Sequence, residues 1–233
     1  MLGTCYRTRM KKIALICLAL IFAGCAETSH EPQASNAPQS SADANSSAPA
    51  VTTGAATSGP TIDAPPTFHK GYKLTFRSRT SDYDVTYEGE QNGLLVFHHD
   101  TKEKLPYDYL YTPDLKLAGF NDAQQQTQFD PPVGYVQFPL SVGQHWKVTY
   151  KSTSNSTHSM AESEVEVVSY GPVKVPYGTV NAFKILVHNT DREVKRANPV
   201  EIYWYSPEIG YYIKHDTNKP IYEDPFELTA VSK

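Results

Sequence analysis

From Phe68 onward the chain never repeats at the helical period of about 3.6 residues. Apolar and polar residues alternate instead, in short runs broken by turn formers, which is the pattern of antiparallel β structure. Tyr72, Leu74 and Phe76 alternate with Lys73, Thr75 and Arg77. Tyr83, Val85 and Tyr87 alternate with Asp82, Asp84 and Thr86, and Asn92-Gly93 then supplies the positive φ of a tight turn. Further strands are expected at 94–98, 107–111, 115–120, 162–170, 180–188, 201–205, 211–214 and 227–231, and around Trp146, Val148 and Tyr150. Residues 121–132, rich in Gln and ending Asp-Pro-Pro, read as the longest irregular connection. Residues 152–159 read as a loose hairpin loop and 171–179 as a turn region. Ser206-Pro207-Glu208-Ile209-Gly210 reads as a hairpin turn. Roughly ten to twelve strands so spaced predict an all-β domain, an antiparallel curved sheet forming an open barrel or a sandwich.

Aromatic residues are the one excess, with 16 Tyr against 9 Phe. Tyr107, Tyr109 and Tyr111 are two apart and project to one side of an extended strand. Asp108 and Leu110 project to the other, so neither side reads as a clean core. Tyr203 and Tyr205 share a face opposite Trp204. Tyrosine joins a flat apolar ring to a polar tip, which suits sugars, amphiphiles and partner surfaces. These five tyrosines form the candidate binding face. Tyr107 and Tyr111 are expected to be partly exposed, so that truncating both costs less than about 2 kcal/mol. Trp146 and Trp204, large and on alternating strands, are both expected in the core.

The sequence assigns no catalytic residue, metal or cofactor. On a strand only His98 and Asp100 of His98-His99-Asp100 share a side, and nothing places a third ligand beside them. Glu162, Glu164 and Glu166 form a single row, read as a wet strand face and not as a glycosidase pair. Arg192, Lys195 and Arg196 are diluted by Asp191 and Glu193 and read as a solvated hairpin tip. All three cysteines, Cys5, Cys17 and Cys25, lie in the first 25 residues. The folded region therefore has no disulfide and no thiolate nucleophile.

The N-terminus has its own logic. Lys11 and Lys12 precede an apolar run, 13–23, that is short for a transmembrane helix. The run ends Phe22-Ala23-Gly24-Cys25, which resembles the lipobox of bacterial lipoproteins. The resemblance implies a signal peptide over 1–24, diacylglyceryl transfer to Cys25 and cleavage before it. Ala26, where an Asp would favour the inner membrane, implies the outer membrane, with the domain facing the periplasm. Met10 opens a compact signal by itself. Losing Arg7, Arg9, Lys11 and Lys12 takes the formal net charge from −4 to −8, which leaves no basic footprint for nucleic acid. Residues 25–66 read as a lipidated Cys25 and a disordered Ala/Ser/Pro/Thr tether with an r.m.s. reach of roughly 35 Å. Asp63-Ala-Pro-Pro66 is its expected boundary and 67–233 the all-β domain.

Three stretches form an ordered set. They are Phe138-Pro-Leu-Ser-Val-Gly143 followed by Trp146, Val175-Pro-Tyr-Gly-Thr179 with Phe183-Lys-Ile185, and the run 203–213, Tyr-Trp-Tyr-Ser-Pro-Glu-Ile-Gly-Tyr-Tyr-Ile. The set resembles the TapB-like bacterial extracytoplasmic β-domain lipoproteins, a family of unknown function. It implies a secreted or lipid-anchored β domain, an open barrel like those of periplasmic lipoprotein carriers, and supplies no catalytic residues. Together these readings predict a non-catalytic binding or accessory module. It would meet the membrane through lipidated Cys25 and an envelope protein or polymer through its tyrosines. The alternative is a carrier of an acyl or other amphiphilic ligand inside the barrel, with an envelope hydrolase third.

Overall fold

The computed structural model describes residues 59–102, 105–155, 157–191, 199–218 and 224–232. Cys25, the signal, the tether up to residue 58 and the basic loop of Arg192, Lys195 and Arg196 lie outside the described residues. The architecture is all-β and antiparallel, as the alternation requires. Among the described residues twelve strands run up and down in sequence order. Each pairs with the next, and β1 (Lys73–Ser78) pairs with β12 (Phe226–Ser232) to close the sheet into a barrel. Closure leaves no free edge, the feature by which an open sheet risks pairing with another chain.

Side chains sort by parity. In β1, Leu74 and Phe76 are buried inside, while Lys73 and Arg77 face out to Asp84 and Asp82 of β2 (Asp82–Gln91). Lys147 on β7 (His145–Ser154) likewise meets Glu162 and Glu164 on β8 (Thr157–Val175) outside. The glutamate row is thus the wet face expected of it. The outer wall carries these charges rather than the apolar band with which outer-membrane barrels face lipid.

Three connections differ from the sequence reading. Residues 121–132 are no loop: β5 (Leu117–Asp122) and β6 (Gln126–Val133) occupy most of them. Asp122 closes the turn, its Oδ1 accepting from the backbone N–H of Gln124 at 2.6 Å and of Gln125 at 2.8 Å. The outward positions of β6 are Gln126 and Gln128, so the strand alternates without the apolar contrast that marks one. Pro131 and Pro132 fall where its pairing with β5 shifts register, a place where a strand tolerates proline. Residues 152–159 are mostly strand, with the turn at Asn155 (φ 45°). Residues 171–179 are strand too. The long β8 and β9 (Gly178–Asp191) run on through them, turn at Pro176-Tyr177, and the Tyr177 N–H donates to Leu228 O at 3.0 Å.

A meander has two ends, and here they differ. The end with the β2–β3, β4–β5, β6–β7, β8–β9 and β10–β11 connections is filled. Ile62 exchanges two backbone hydrogen bonds with Leu140, at 2.9 and 2.8 Å. Phe68 packs against both buried clusters and lies edge-on to Phe97 at 5.0 Å. Gly59 abuts Tyr170, and Pro66 lies over Gly210 so closely that a Cβ there would meet its ring at 2.8 Å. The expected boundary at Asp63–Pro66 is therefore too late. Residues 59–66 belong to the domain, although their composition is that of the tether.

Candidate functional site

The other end is hollow among the described residues. It holds a cavity of about 500 Å³, reaching from the β1–β2 turn (Ser78, Thr80, Ser81) and Asp224 down to the packed middle of the barrel. Among the described residues nine tyrosines line it, with Phe120, Phe129, His99 and His215 among their neighbours. Its size is within the range of small-ligand sites, roughly 300–1,000 Å³. Twelve strands make a perimeter wider than the side chains of one end fill, whereas about eight give an interior that side chains pack completely.

Register brings the tyrosines together. On β4 (Tyr107–Tyr111), Tyr107, Tyr109 and Tyr111 all face inward. The ambiguity over Asp108 resolves on the outside, where it pairs with His98 of β3 (Leu94–Thr101) and its Oδ1 lies 2.7 Å from His98 Nδ1. Tyr107 is partly exposed, as expected, but Tyr111 is not. It is 7% exposed, packs edge-on to Phe97 at 5.5 Å, and its hydroxyl lies 3.4 Å from that of Tyr211. The double truncation therefore cannot be nearly free, since a buried ring cut to Ala costs roughly 3–5 kcal/mol. Tyr203 and Tyr205 on β10 (Val200–Ser206) are buried as well. Tyr203 lines the cavity, while Tyr205, 1% exposed, packs beneath it. Burial pushes the Tyr205 hydroxyl well above its ordinary pKa. The tyrosine face is thus an inner wall and not an outer surface.

Trp146 is half-buried on the inward side, its Nε1–H donating to Gly134 O at 3.0 Å. Trp204 departs from the expected core position. It stands on the outer wall between Lys184 at 5.9 Å and Lys214 at 5.4 Å, because the row of Tyr203 and Tyr205 already faces in.

Two inward groups were missed by sequence reasoning. His99 was set aside in favour of His98 and Asp100, yet it shares parity with the core residue Phe97 and is 4% exposed. That parity was the available signal. Its ring lies nearly parallel to Tyr107 at 4.7 Å and to Tyr83 at 6.1 Å, with Tyr109 tilted against it at 4.5 Å. Desolvation in this aromatic setting pushes its pKa down to about 3. The second is a buried pair, Glu201 on β10 and His215 on β11 (Tyr211–Thr217), with Oε2 and Nε2 2.5 Å apart. Thr217 Oγ1 donates to Glu201 Oε1 at 3.2 Å, and His215 stacks on Tyr203 at 4.6 Å. Among the described residues no three ligating side chains converge to hold a metal.

No family model matches this chain, and no curated protein matches it in sequence. A crystal structure from Bacteroides fragilis NCTC 9343, of a protein described as exported and with a YmcC-like fold, is similar to it at 13% identity and a TM-score of 0.46. The match covers 75% of this chain and 100% of that one.

Proposed function

We propose that the protein is a lipid-anchored envelope protein that binds, without turning over, a small amphiphile in the hollow end of its barrel. The observation that carries this is the cavity: aromatic side chains for an apolar body, with polar groups among them, Ser78, Thr80, Ser81, Asp224 and His99, for a polar head. It favours the carrier reading over a partner surface, because the tyrosines that would have formed that surface point inward. The address in this proposal, outer membrane with the domain in the periplasm, rests on the resemblance of Phe22-Ala23-Gly24-Cys25 to a lipobox and on Ala26 after it. The TapB-like affiliation belongs to the same proposal. The run 203–213 that supports it forms the β10–β11 hairpin, and its Tyr203, Tyr211 and Tyr212 line the cavity.

The test is titration of the full chain with N-phenyl-1-naphthylamine, an uncharged apolar fluorophore. Saturable enhancement at one site per barrel is expected. Its absence in a chain shown to be folded by circular dichroism sinks the binding reading. The anchor is tested separately: Cys25→Ser should abolish metabolic labelling by fatty acid, and unchanged labelling refutes it.

A further inference from the structure

The charged and titratable groups of the described cavity lining are few. Neither Lys nor Arg is among the described residues that line it. Arg79, between the lining residues Ser78 and Thr80, is held by Asp224 at 3.2 Å, and Thr80 Oγ1 donates to the same carboxylate at 2.8 Å. His215 is held by Glu201, and wherever the proton of that pair resides it contributes no net positive charge. Among the described residues, an anion entering this space would lose its hydration and meet no countercharge.

Asn121 Oδ1, Thr127 Oγ1 and Tyr205 OH are also buried without a partner among the described residues, but of these residues only His99 lines the cavity. Both ring nitrogens are buried, and neither has a hydrogen-bond partner among the described residues. Buried polar atoms are nearly always paired, because an unmade hydrogen bond forfeits the water it replaced. Neutral imidazole offers one donor and one acceptor. Tyr107 covers a face of the imidazole and Tyr109 meets it at a steep angle; both rings are only partly buried and line the cavity with it. Building on the binding role proposed above, we infer that His99 is the polar anchor of the cavity. It recognises an uncharged amphiphile whose head group both donates and accepts hydrogen bonds, such as a hydroxyl or an amide, and Tyr107 and Tyr109 turn aside to admit that head.

The experiment displaces N-phenyl-1-naphthylamine from the full chain with 1-monolauroylglycerol or with laurate, two probes of equal chain length, at a pH where laurate is ionised. Monolauroylglycerol should bind at least about tenfold more tightly, the worth of roughly one hydrogen bond. His99→Leu should weaken monolauroylglycerol about tenfold while leaving the melting temperature unchanged or raised, since it deletes two unpaired polar atoms. His99→Gln, which keeps a donor and an acceptor, should bind within about threefold of the parent. A purely structural histidine would give the opposite pattern, a less stable protein with unaltered affinity. Laurate binding as tightly as monolauroylglycerol, or an affinity indifferent to His99→Leu, overturns the inference and leaves the binding role standing. Should the leucine variant not fold, the role given to His99 is overturned. If the fluorophore itself fails to bind, the binding role falls and this inference with it.

Discussion

At position 99 a histidine occupies a place that its neighbours would suit to a phenyl ring. The physical consequence is a dependence on pH. In the folded chain the imidazole titrates at about 3, against an ordinary value of 6.5 once the chain unfolds. Between those values the unfolded state holds a proton that the folded state does not, so stability falls as pH falls. The contribution is constant above about pH 6.5 and declines by about 1.4 kcal/mol per pH unit below it. Denaturant melts at pH 7 and pH 5 should show a smaller acid loss for His99→Leu than for the parent. Equal losses would mean that His99 is protonated, or solvated, in the folded chain. The same scale shows why Tyr111 was misjudged. Spacing puts it on a side with Tyr107 and Tyr109, but spacing carries no depth. Tyr107 stands at the mouth and Tyr111 against Phe97.

Among elements, the segment before β1 departs most from its composition. Residues 59–66 look like the tether, yet Ile62 forms a bridge with Leu140 and Pro66 roofs the β10–β11 turn at Gly210, whose φ is +77°. A chain beginning at Gly59 is expected to melt with the full chain. One beginning at Phe68 loses two backbone hydrogen bonds and the half-buried Ile62, and it should melt at least about 4 °C lower. Equal melting temperatures would return the boundary to Pro66. Strands with apolar inward rows were legible: β1, the Trp146 row of β7 and the Val165–Val167 row of β8 alternate plainly. What escaped was strand of other kinds. The polar β6 gives no contrast between its sides, and the far half of β8 carries Gly171 and Pro172, which read as turn formers.

For the whole molecule, the alternation settled that the chain is antiparallel β with one side of each strand buried, since a period of two is a local property of the backbone. The cysteine positions settled that no thiol chemistry enters the folded part. Closure was another matter. It rests on β1 meeting β12 across most of the chain, Lys73 beside Ser232, and no local pattern encodes a pairing at that separation. The cavity is further still from the sequence. Whether the tyrosines fill a core, coat a surface or line a void depends on the strand count, on bulges such as those at Thr75/Phe76 and Trp204/Tyr205, and on how inward volumes sum across strands far apart in sequence. The sequence therefore determined what kind of wall would be built and which residues could face one way together. That the wall closes, that the tyrosines face inward, and that one end is packed while the other is open among the described residues all follow from long-range pairing and packing, because volume and closure are sums over the whole chain and periodicity is not.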